Sequence, residues 1–381
     1  MTQAIYLDYN ATTPVAPEVA AAMQPYLHAA FGNPSSSHER GLAAREAVLA
    51  ARRHVARLIA ADADEIVFTG SATEADNLAL LGVASALAAS KRHLVVSAVE
   101  HPAVLAPARH LAAQGWALTV VPVDAGGRVS PDDVARALRP DTALVSIMHA
   151  NNEVGSIQPI AEIARHTRAA GVLLHSDAAQ SAGKIPVEVD TLGVDLLTLA
   201  GHKCYAAKGV GALYVRRGTP IRPLLFGADQ EHGLRPGTEN VAALAGFGVA
   251  AELARERLPQ AQRQLRERRD QLHAALQAAI PGLVLNGHPE HRLPNTLHLS
   301  FPGVGGRALL QAAAGDVAAS LGSACHSEHD AVSGVLAAMG ADAARAAGAV
   351  RLSVGWMTTA DEVARAAAAL IAAWRQTSRP V

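Results

Sequence analysis

This chain of 381 residues has few cysteines and few aromatic residues, and its positive and negative charges nearly balance. The two cysteines, Cys204 and Cys325, are too few for a disulfide framework, so we expect free thiols in a reducing compartment, the cytoplasm. A formal net charge of -1 gives no electrostatic reason to expect a nucleic acid or a membrane surface as partner. No uncharged apolar run reaches the length of about 18 residues that indicates a membrane-spanning helix, and residues 1–6 lack the features of a signal peptide.

Hydrophobic residues make up 50% of the chain. Its length suggests two domains. Between residues 66 and 215, short β-branched runs alternate with alanine-rich helical stretches, except that a glycine-rich turn separates the last two runs. This alternation predicts an α/β fold whose mostly parallel, seven-stranded sheet is covered on both faces. The expected strands are 66–69, 94–97, 118–121, 144–148, 172–175, 196–199 and 212–215, and the expected helices between them include 74–90, 103–113, 131–138 and 159–170.

A charged helix over 252–278 is expected to lead from this sheet into a smaller α+β C-terminal domain. The expected elements of that domain are strands near 295–301 and 350–354 and helices near 305–315 and 360–375. We therefore predict a large domain over 15–259, and a small domain formed by residues 1–14 together with 260–381.

One residue is out of place in this pattern, because Lys203 follows the apolar run 194–199 at the end of a buried-looking strand. Lysine is almost never fully buried without a partner or a covalent role. A desolvated lysine can form a Schiff base with an aldehyde. Enzymes that use pyridoxal phosphate need this chemistry, and they pair the lysine with an acid at the pyridine nitrogen.

Polar residues also follow other predicted strands, at the edge of the sheet where ligands of such folds bind. Each of these segments has a plain structural explanation, as a helix cap or a core histidine. Five of them after different strands of one sheet are hard to explain as caps alone. The five segments are 70–74, with small residues suited to a phosphate, Glu100-His101, Asn151-Asn152-Glu153, Asp177-Ala178-Ala179-Gln180 and Lys203 itself.

These segments, with others in the same order along the chain, resemble the cysteine desulfurases. That family belongs to the class V aminotransferase group of fold-type I pyridoxal phosphate enzymes. The resemblance covers nearly the whole chain. The segments that carry it are 7–14, 32–36, 71–74, 100–101, 151–153, 177–180, 201–203, 235–240 and 322–325.

The resemblance implies pyridoxal 5'-phosphate as cofactor and no metal. It makes Lys203 the Schiff-base lysine and proton shuttle, Asp177 the partner of the pyridine nitrogen, and His101 the ring-stacking residue and candidate acid or base. The other implied cofactor contacts are Gln180 at the ring hydroxyl, Ala72, Thr73 and His202 at the phosphate, and Thr238 at the phosphate of the other subunit of a homodimer. Asn152 and Arg351 resemble the residues that bind the substrate carboxylate, a role that suits the guanidinium fork.

Of the two cysteines, Cys325 is the expected nucleophile. It lies in a polar segment rich in histidine and acid, 323–330, which favours a reactive thiolate. Cys204, beside Lys203, is expected to be a small buried filler. The implied reaction converts L-cysteine to L-alanine and leaves a persulfide on Cys325 for a sulfur-acceptor protein, such as one that serves iron–sulfur cluster assembly.

Two other functions remain open from the residues. The apolar Ala200, where a serine is usual in the desulfurases, and the segment 324–329 are similar to selenocysteine lyases, which would act on L-selenocysteine. The altered segment 326–334 also leaves open a weakly active, cofactor-binding scaffold for a sulfur-carrier partner. Trp356, where an arginine is common, is a further departure from the family.

Overall fold

A sheet of seven strands forms the centre of the computed structural model, which describes residues 4–322 and 333–378. Its inner strands are almost entirely buried, as continuous apolar runs predict. The strands of the described chain are Ile5–Tyr6 (β1), Ile66–Thr69 (β2), His93–Ser97 (β3), Ala117–Val121 (β4), Thr142–Ser146 (β5), Leu173–Asp177 (β6), Leu196–Ala200 (β7), Gly211–Val215 (β8), Val284–Asn286 (β9), Thr296–Ser300 (β10), Val317–Ala318 (β11) and Ala349–Ser353 (β12).

Helices cover the sheet and connect most of its strands. They are Pro17–His28 (α1), Glu39–Leu58 (α2), Ala72–Leu87 (α3), Pro102–Ala113 (α4), Pro131–Ala137 (α5), Ile160–Ala169 (α6), Val189–Leu192 (α7), Val241–Ala279 (α8), Gly306–Ala313 (α9), Gly334–Ala338 (α10), Ala343–Ala347 (α11) and Ala360–Thr377 (α12). Among the described residues, no helix combines the length and the apolar character that crossing a membrane requires.

The strand order of the large sheet is β2-β8-β7-β6-β5-β3-β4. The pairs from β7 to β4 are parallel, and β8 runs antiparallel to both of its neighbours. The predicted α/β class and the mostly parallel, seven-stranded sheet are therefore confirmed. The largest difference is in β5, which ends at Ser146, two residues before the predicted end, so that residues 147–148 lie beyond the strand. Parallel strands bring the ends of β3, β5, β6 and β7 to one edge, where the site lies.

A smaller sheet, β12-β10-β9, is antiparallel, and a short parallel pair, β1 and β11, lies beside it. One large apolar core includes α8 residues up to Ala254, and a second core begins on the same helix at Leu265. Helix α8 begins at Val241, which is 11 residues before the start of the predicted charged helix. It continues without a break through Pro259. The domain boundary that we placed at residue 259 thus falls inside a helix, and it stays a prediction.

Candidate active site

Asp177, His101 and Lys203 come together at the carboxyl edge of the large sheet. Asp177 ends β6, His101 precedes α4, and Lys203 lies in a 3-10 turn directly after β7. They are close enough that His101 and Lys203 shift the pKa of Asp177, and that Asp177 and Lys203 shift the pKa of His101. Burial raises the pKa of Asp177, and the nearby His101 and Lys203 lower it. A ligand that offers a cationic nitrogen to this buried carboxylate would stabilise its charged form.

His101 is held in one orientation by the helix that it precedes. Its Nδ1 accepts a hydrogen bond from the backbone N–H of Ala103 at 3.1 Å, which makes His101 the N-terminal cap of α4. Burial lowers the pKa of His101, so the ring is neutral around pH 7. Because Nδ1 accepts, the exchangeable proton of the neutral ring is on Nε2. The Nε2–H is therefore the donor that His101 can present in the site.

The N-terminal segment positions Lys203. Lys203 Nζ donates to the backbone oxygens of Asn10 and of Ala11, the latter at 2.8 Å. Gln180 Nε2 donates to the same Asn10 oxygen at 2.9 Å. His202 Nδ1 lies 3.1 Å from the hydroxyl of Thr12. The segment 10–12 therefore joins three of the residues that we expected at the cofactor.

The turn before α3 has the geometry of an anion site. Ser71 caps the helix by accepting from the backbone N–H of Glu74 at 3.1 Å. Within the described parts of the chain, the N–H groups of Ala72 and Thr73 have no hydrogen-bond acceptor, as is usual for the first residues of a helix. A side chain at Gly211 would collide with this turn, because a Cβ there would lie 2.6 Å from the carbonyl carbon of Ser71. Glycine in β8 thus lets the turn pack closely against the sheet.

Arg351 and Asn152, the expected carboxylate-binding residues, are also in contact. Arg351 lies on β12, is 2% exposed, and forms an ion pair with Asp8 at 2.8 Å. Its Nη1 donates to the backbone oxygens of Asn152, at 2.9 Å, and of Gly322, at 3.1 Å. Its Nε is buried without a hydrogen-bond acceptor in the described parts of the chain. The guanidinium thus has protein partners on both terminal nitrogens, and its role toward a substrate stays a prediction.

The two cysteines differ sharply in what the structure describes. Cys325 lies outside the described residues, as does the whole polar segment 323–330 around it. Cys204 is buried in the large core, and its Sγ donates to the backbone oxygen of Ala182 at 3.1 Å. Burial raises the pKa of the Cys204 thiol to about 11, so it is a poor nucleophile at neutral pH. The prediction that Cys204 is a buried filler is confirmed.

No hydrogen bond within the described residues connects Thr238 to the other expected cofactor residues. It is solvent-exposed, and it makes no hydrogen bond to any other described residue. The segment that carries it is attached to the anion turn through Arg235, whose Nε donates to Glu74 at 2.9 Å. An exposed position is what a residue that serves another subunit requires. Its assignment to the phosphate of a second subunit stays a prediction.

Trp356 and Ala200, the departures from the family pattern, are both accommodated by packing. Trp356 stacks on Tyr205 at a centroid distance of 3.6 Å and an angle of 5°, and its backbone N–H donates to the Tyr205 hydroxyl at 2.8 Å. Tyr205 has a left-handed backbone with φ of 64°, which a non-glycine residue rarely adopts. The stack thus braces the strained residue two positions after Lys203. Ala200 is buried at the end of β7.

Sequence reasoning assigned no role to several residues that build this site. Asp8 and Asn10 belong to a quoted motif, but their partners lie more than 140 residues away. Glu100 is buried, and it accepts from the Ser97 hydroxyl and from the Met148 backbone. Burial raises the pKa of Glu100 to about 8. A further buried acid, Asp76, lies on α3 at 3.6 Å from His175, and an acid within an apolar helical stretch was a signal that could have revealed it.

Comparisons with known proteins show which family this chain resembles. Residues 5–366 match the family model described as Aminotransferase class-V. The chain is similar to a "Cysteine desulfurase IscS" of Dictyoglomus turgidum, with 46% identity over 95% of this chain and 92% of the relative. It is similar to another of that name from Anaeromyxobacter sp. (strain Fw109-5), with 50% identity over 94% and 89%. Among solved structures, a NifS-like protein has a TM-score of 0.91 and 37% identity, covering 97% of this chain and 99% of its own.

Proposed function

Since the chain belongs to the aminotransferase class-V family and, within it, to the pyridoxal-phosphate-dependent cysteine desulfurases, we propose that it takes sulfur from L-cysteine and leaves L-alanine. The observation that carries the assignment to these residues is the meeting of Asp177, His101 and Lys203 at one edge of the sheet. When bound, pyridoxal 5'-phosphate supplies an aldehyde that bonds to amines and a ring that withdraws electrons from the adjacent carbon.

The chain offers a partner for each part of this cofactor. The buried carboxylate of Asp177 suits the ring nitrogen, because an unpaired acid in that environment is costly unless a cation faces it. The N–H groups of Ala72 and Thr73 at the start of α3, with His202, suit the phosphate. Gln180 suits the ring hydroxyl, and His101 suits one face of the ring. Lys203 Nζ is the amine for the aldehyde.

Two residues handle the protons in this proposal. Lys203, held at the carbonyl oxygens of Asn10 and Ala11, takes the proton from the substrate Cα once its amine is released. His101 carries its proton on Nε2, because Nδ1 accepts the Ala103 N–H, and it serves as the second proton donor. Burial lowers the pKa of His101, which favours the neutral ring whose Nε2–H donates in the site.

Cys325 is the sulfur acceptor in this proposal. Its thiolate attacks the substrate sulfur, a new S–S bond forms, and the C–S bond breaks with its electron pair staying on the carbon, which becomes the alanine methyl after protonation. The sulfur is oxidised to a persulfide and the carbon is reduced, so no external oxidant is needed. The described residues on either side of the cysteine segment support this arrangement. Gly322 accepts from Arg351 at 3.1 Å, and Ser333 donates to Glu153 at 2.5 Å.

Arg351 and Asn152 would hold the substrate carboxylate, and a homodimer would complete the site with Thr238 of the second subunit. The apolar Leu225 and Phe226, the latter 90% exposed, lie in the same segment as Thr238 and support a covered surface there. The persulfide would pass to a sulfur-acceptor protein. The reactive thiolate requires a reducing compartment, for which we propose the cytoplasm.

The experiment that tests this proposal compares the two cysteines. Cys325→Ala should keep the cofactor absorbance and lose both the protein persulfide and alanine formation from L-cysteine. Cys204→Ala is the matched control, since it removes the other thiol, and it should keep both activities. Mass spectrometry of the intact protein after incubation with L-cysteine detects the added sulfur, and amino-acid analysis measures alanine. Full alanine formation by Cys325→Ala would remove Cys325 from the mechanism.

The same assay separates the alternatives. A selenocysteine lyase would form alanine faster from L-selenocysteine than from L-cysteine, a preference that the buried Ala200 at the end of β7 motivates. A scaffold protein would show cofactor absorbance without alanine from either substrate.

A further inference from the structure

Lysine is as unusual as cysteine in this chain. Four of the 33 Lys and Arg residues are lysines: Lys91, Lys184, Lys203 and Lys208. Lys208 is exposed, and Lys91 is partly exposed and donates to the Gly171 backbone oxygen at 2.9 Å. Lys184 and Lys203, by contrast, line one small cavity, together with Cys204 and Tyr205. Half of the lysines therefore converge on the site, in a chain that uses arginine for most of its positive charge.

Lys184 is connected to Lys203 by a chain of hydrogen bonds. Lys184 is 7% exposed, and its Nζ donates to Gln180 Oε1 at 2.9 Å. This bond fixes the orientation of the Gln180 amide, because the oxygen must face the lysine. Gln180 Nε2 then donates to the Asn10 oxygen at 2.9 Å, and Lys203 Nζ donates to the same oxygen. The two lysines are thus linked through one side-chain amide and one carbonyl group.

The two amines also oppose each other electrostatically. Burial, together with the smaller effect of the Lys203 charge, lowers the pKa of Lys184 to about 7. The influence is mutual, because an interaction between two charges is the same from either side. Besides Lys203, the charged and titratable groups that face Lys184 are Cys204, His202 and, on β12, Arg351, and the cavity is also lined by Tyr9 and Tyr205.

We propose that Lys184 is a positioning residue for the amine of Lys203: it fixes the Gln180 amide that shares the Asn10 carbonyl with Lys203, so that one hydrogen-bonded group holds both amines. The inference rests on the proposed role of Lys203. It adds that a second lysine sets the position of that amine.

The test measures the titration of each lysine separately. The full chain, freed of cofactor with hydroxylamine, is labelled with trace acetic anhydride from pH 6 to 11, and peptide mass spectrometry gives the labelling midpoint of each lysine. Only neutral amines react, and four lysines are few enough to resolve. In the parent protein we expect the midpoint of Lys184 to lie below those of Lys91 and Lys208, which serve as surface references.

Two variants should move the Lys184 midpoint in opposite directions. Lys203→Met removes the opposing charge, and we expect a rise of roughly one pH unit. Gln180→Leu removes the acceptor of the Lys184 ammonium, and we expect the midpoint to fall. A loosening of the fold would raise it in both variants, because exposure to water moves a lysine toward its ordinary pKa. Near-UV circular dichroism checks that each variant is folded.

A Lys184 midpoint equal to that of Lys91 in the parent would overturn the proposal without any variant. An unchanged midpoint in folded Lys203→Met, or a rise in folded Gln180→Leu, would also overturn it. A different result would contradict the proposed function. If the protein with bound cofactor is treated with borohydride and no cofactor becomes fixed to Lys203, the assigned role of Lys203 is wrong. The labelling midpoints keep their meaning in that case, because they are measured without cofactor.

Discussion

The buried ion pair of Arg52 and Glu231 allows a quantitative prediction of how much a substitution destabilises the fold. The two side chains are 10% and 3% exposed, and the two terminal nitrogens of the Arg52 guanidinium each lie 2.6 Å from a carboxylate oxygen of Glu231. Arg52 also donates to the Ile66 oxygen, and Glu231 accepts from the Phe68 N–H at 2.7 Å. The pair thus fixes α2 and β2 to the segment that leads to Thr238. Glu231→Ala would leave a buried guanidinium without its carboxylate and the Phe68 N–H without an acceptor.

The expected loss is about 3–5 kcal/mol, the range for breaking a buried ion pair by removing one partner. The entropy of unfolding of a chain of this size is about 0.8 kcal/mol/K, so the melting temperature should fall by roughly 4–6 °C. The matched control is Asp361→Ala, which breaks an ion pair with Arg365 whose side chains are 76% and 53% exposed. An exposed pair of this kind contributes about 0.3–0.5 kcal/mol, so the control should change the melting temperature by less than about 1 °C.

Differential scanning calorimetry at one scan rate measures both variants. A double variant, Arg52→Met with Glu231→Leu, should recover part of the loss, because no charge is then buried without a partner. The reasoning would be refuted if Glu231→Ala lowered the melting temperature no more than Asp361→Ala does.

Three further predictions concern the site. Asp8→Asn removes the carboxylate that pairs with Arg351, and we expect KM for L-cysteine to rise about tenfold while kcat stays within about twofold, measured as alanine formation. Glu100 has a folded pKa of about 8, above its ordinary value of 4.5, so its protonated form stabilises the fold below pH 4.5 and this stabilisation is lost as the pH rises toward 8. The melting temperature of Glu100→Gln should therefore exceed that of the parent by a margin that grows between pH 5 and 8. A constant difference in melting temperature would contradict this. Trp356→Ala removes the stack on Tyr205, and we expect a loss of about 2 kcal/mol in thermal unfolding, which Trp356→Phe should largely avoid.

The sheet was predictable because its signal is local. Each parallel strand is a short apolar run followed by a helix, and Lys203 stands out because it directly follows such a run. The sequence also indicates that β8 is antiparallel to β7. The ten residues between the two strands are too few for a parallel crossover, which needs about a dozen or more. The start of α8 at Val241, before the predicted helix, was harder to foresee, because Gly246 and Gly248 weaken the local helix signal while packing in the large core stabilises the helix.

The site was only half predictable, and Asn10 shows why. The sequence marks Asp177 and Lys203 because a charge next to an apolar strand is visible within a few residues. Asn10 has no such contrast, yet its carbonyl accepts from Gln180 and its amide contacts Thr296 and Asn295 at the start of β10. These partners lie 170 to 286 positions away in the chain. Local patterns cannot reveal such contacts, because they exist only once the distant strands have paired.

The role of Asn10 also explains how the two parts of the chain act as one site. Its side chain bonds to the strand β10 and to the residue before it, while its backbone oxygen receives the amine of Lys203 from the large sheet. Arg351 makes a second connection, since it lies on β12 and reaches both Asp8 and the Asn152 backbone. A shift of the small sheet would therefore move the expected substrate-binding residue and the carbonyl that holds Lys203 together. The segment 8–11 thus couples the position of Arg351, the expected substrate-binding residue, to the position of the Lys203 amine.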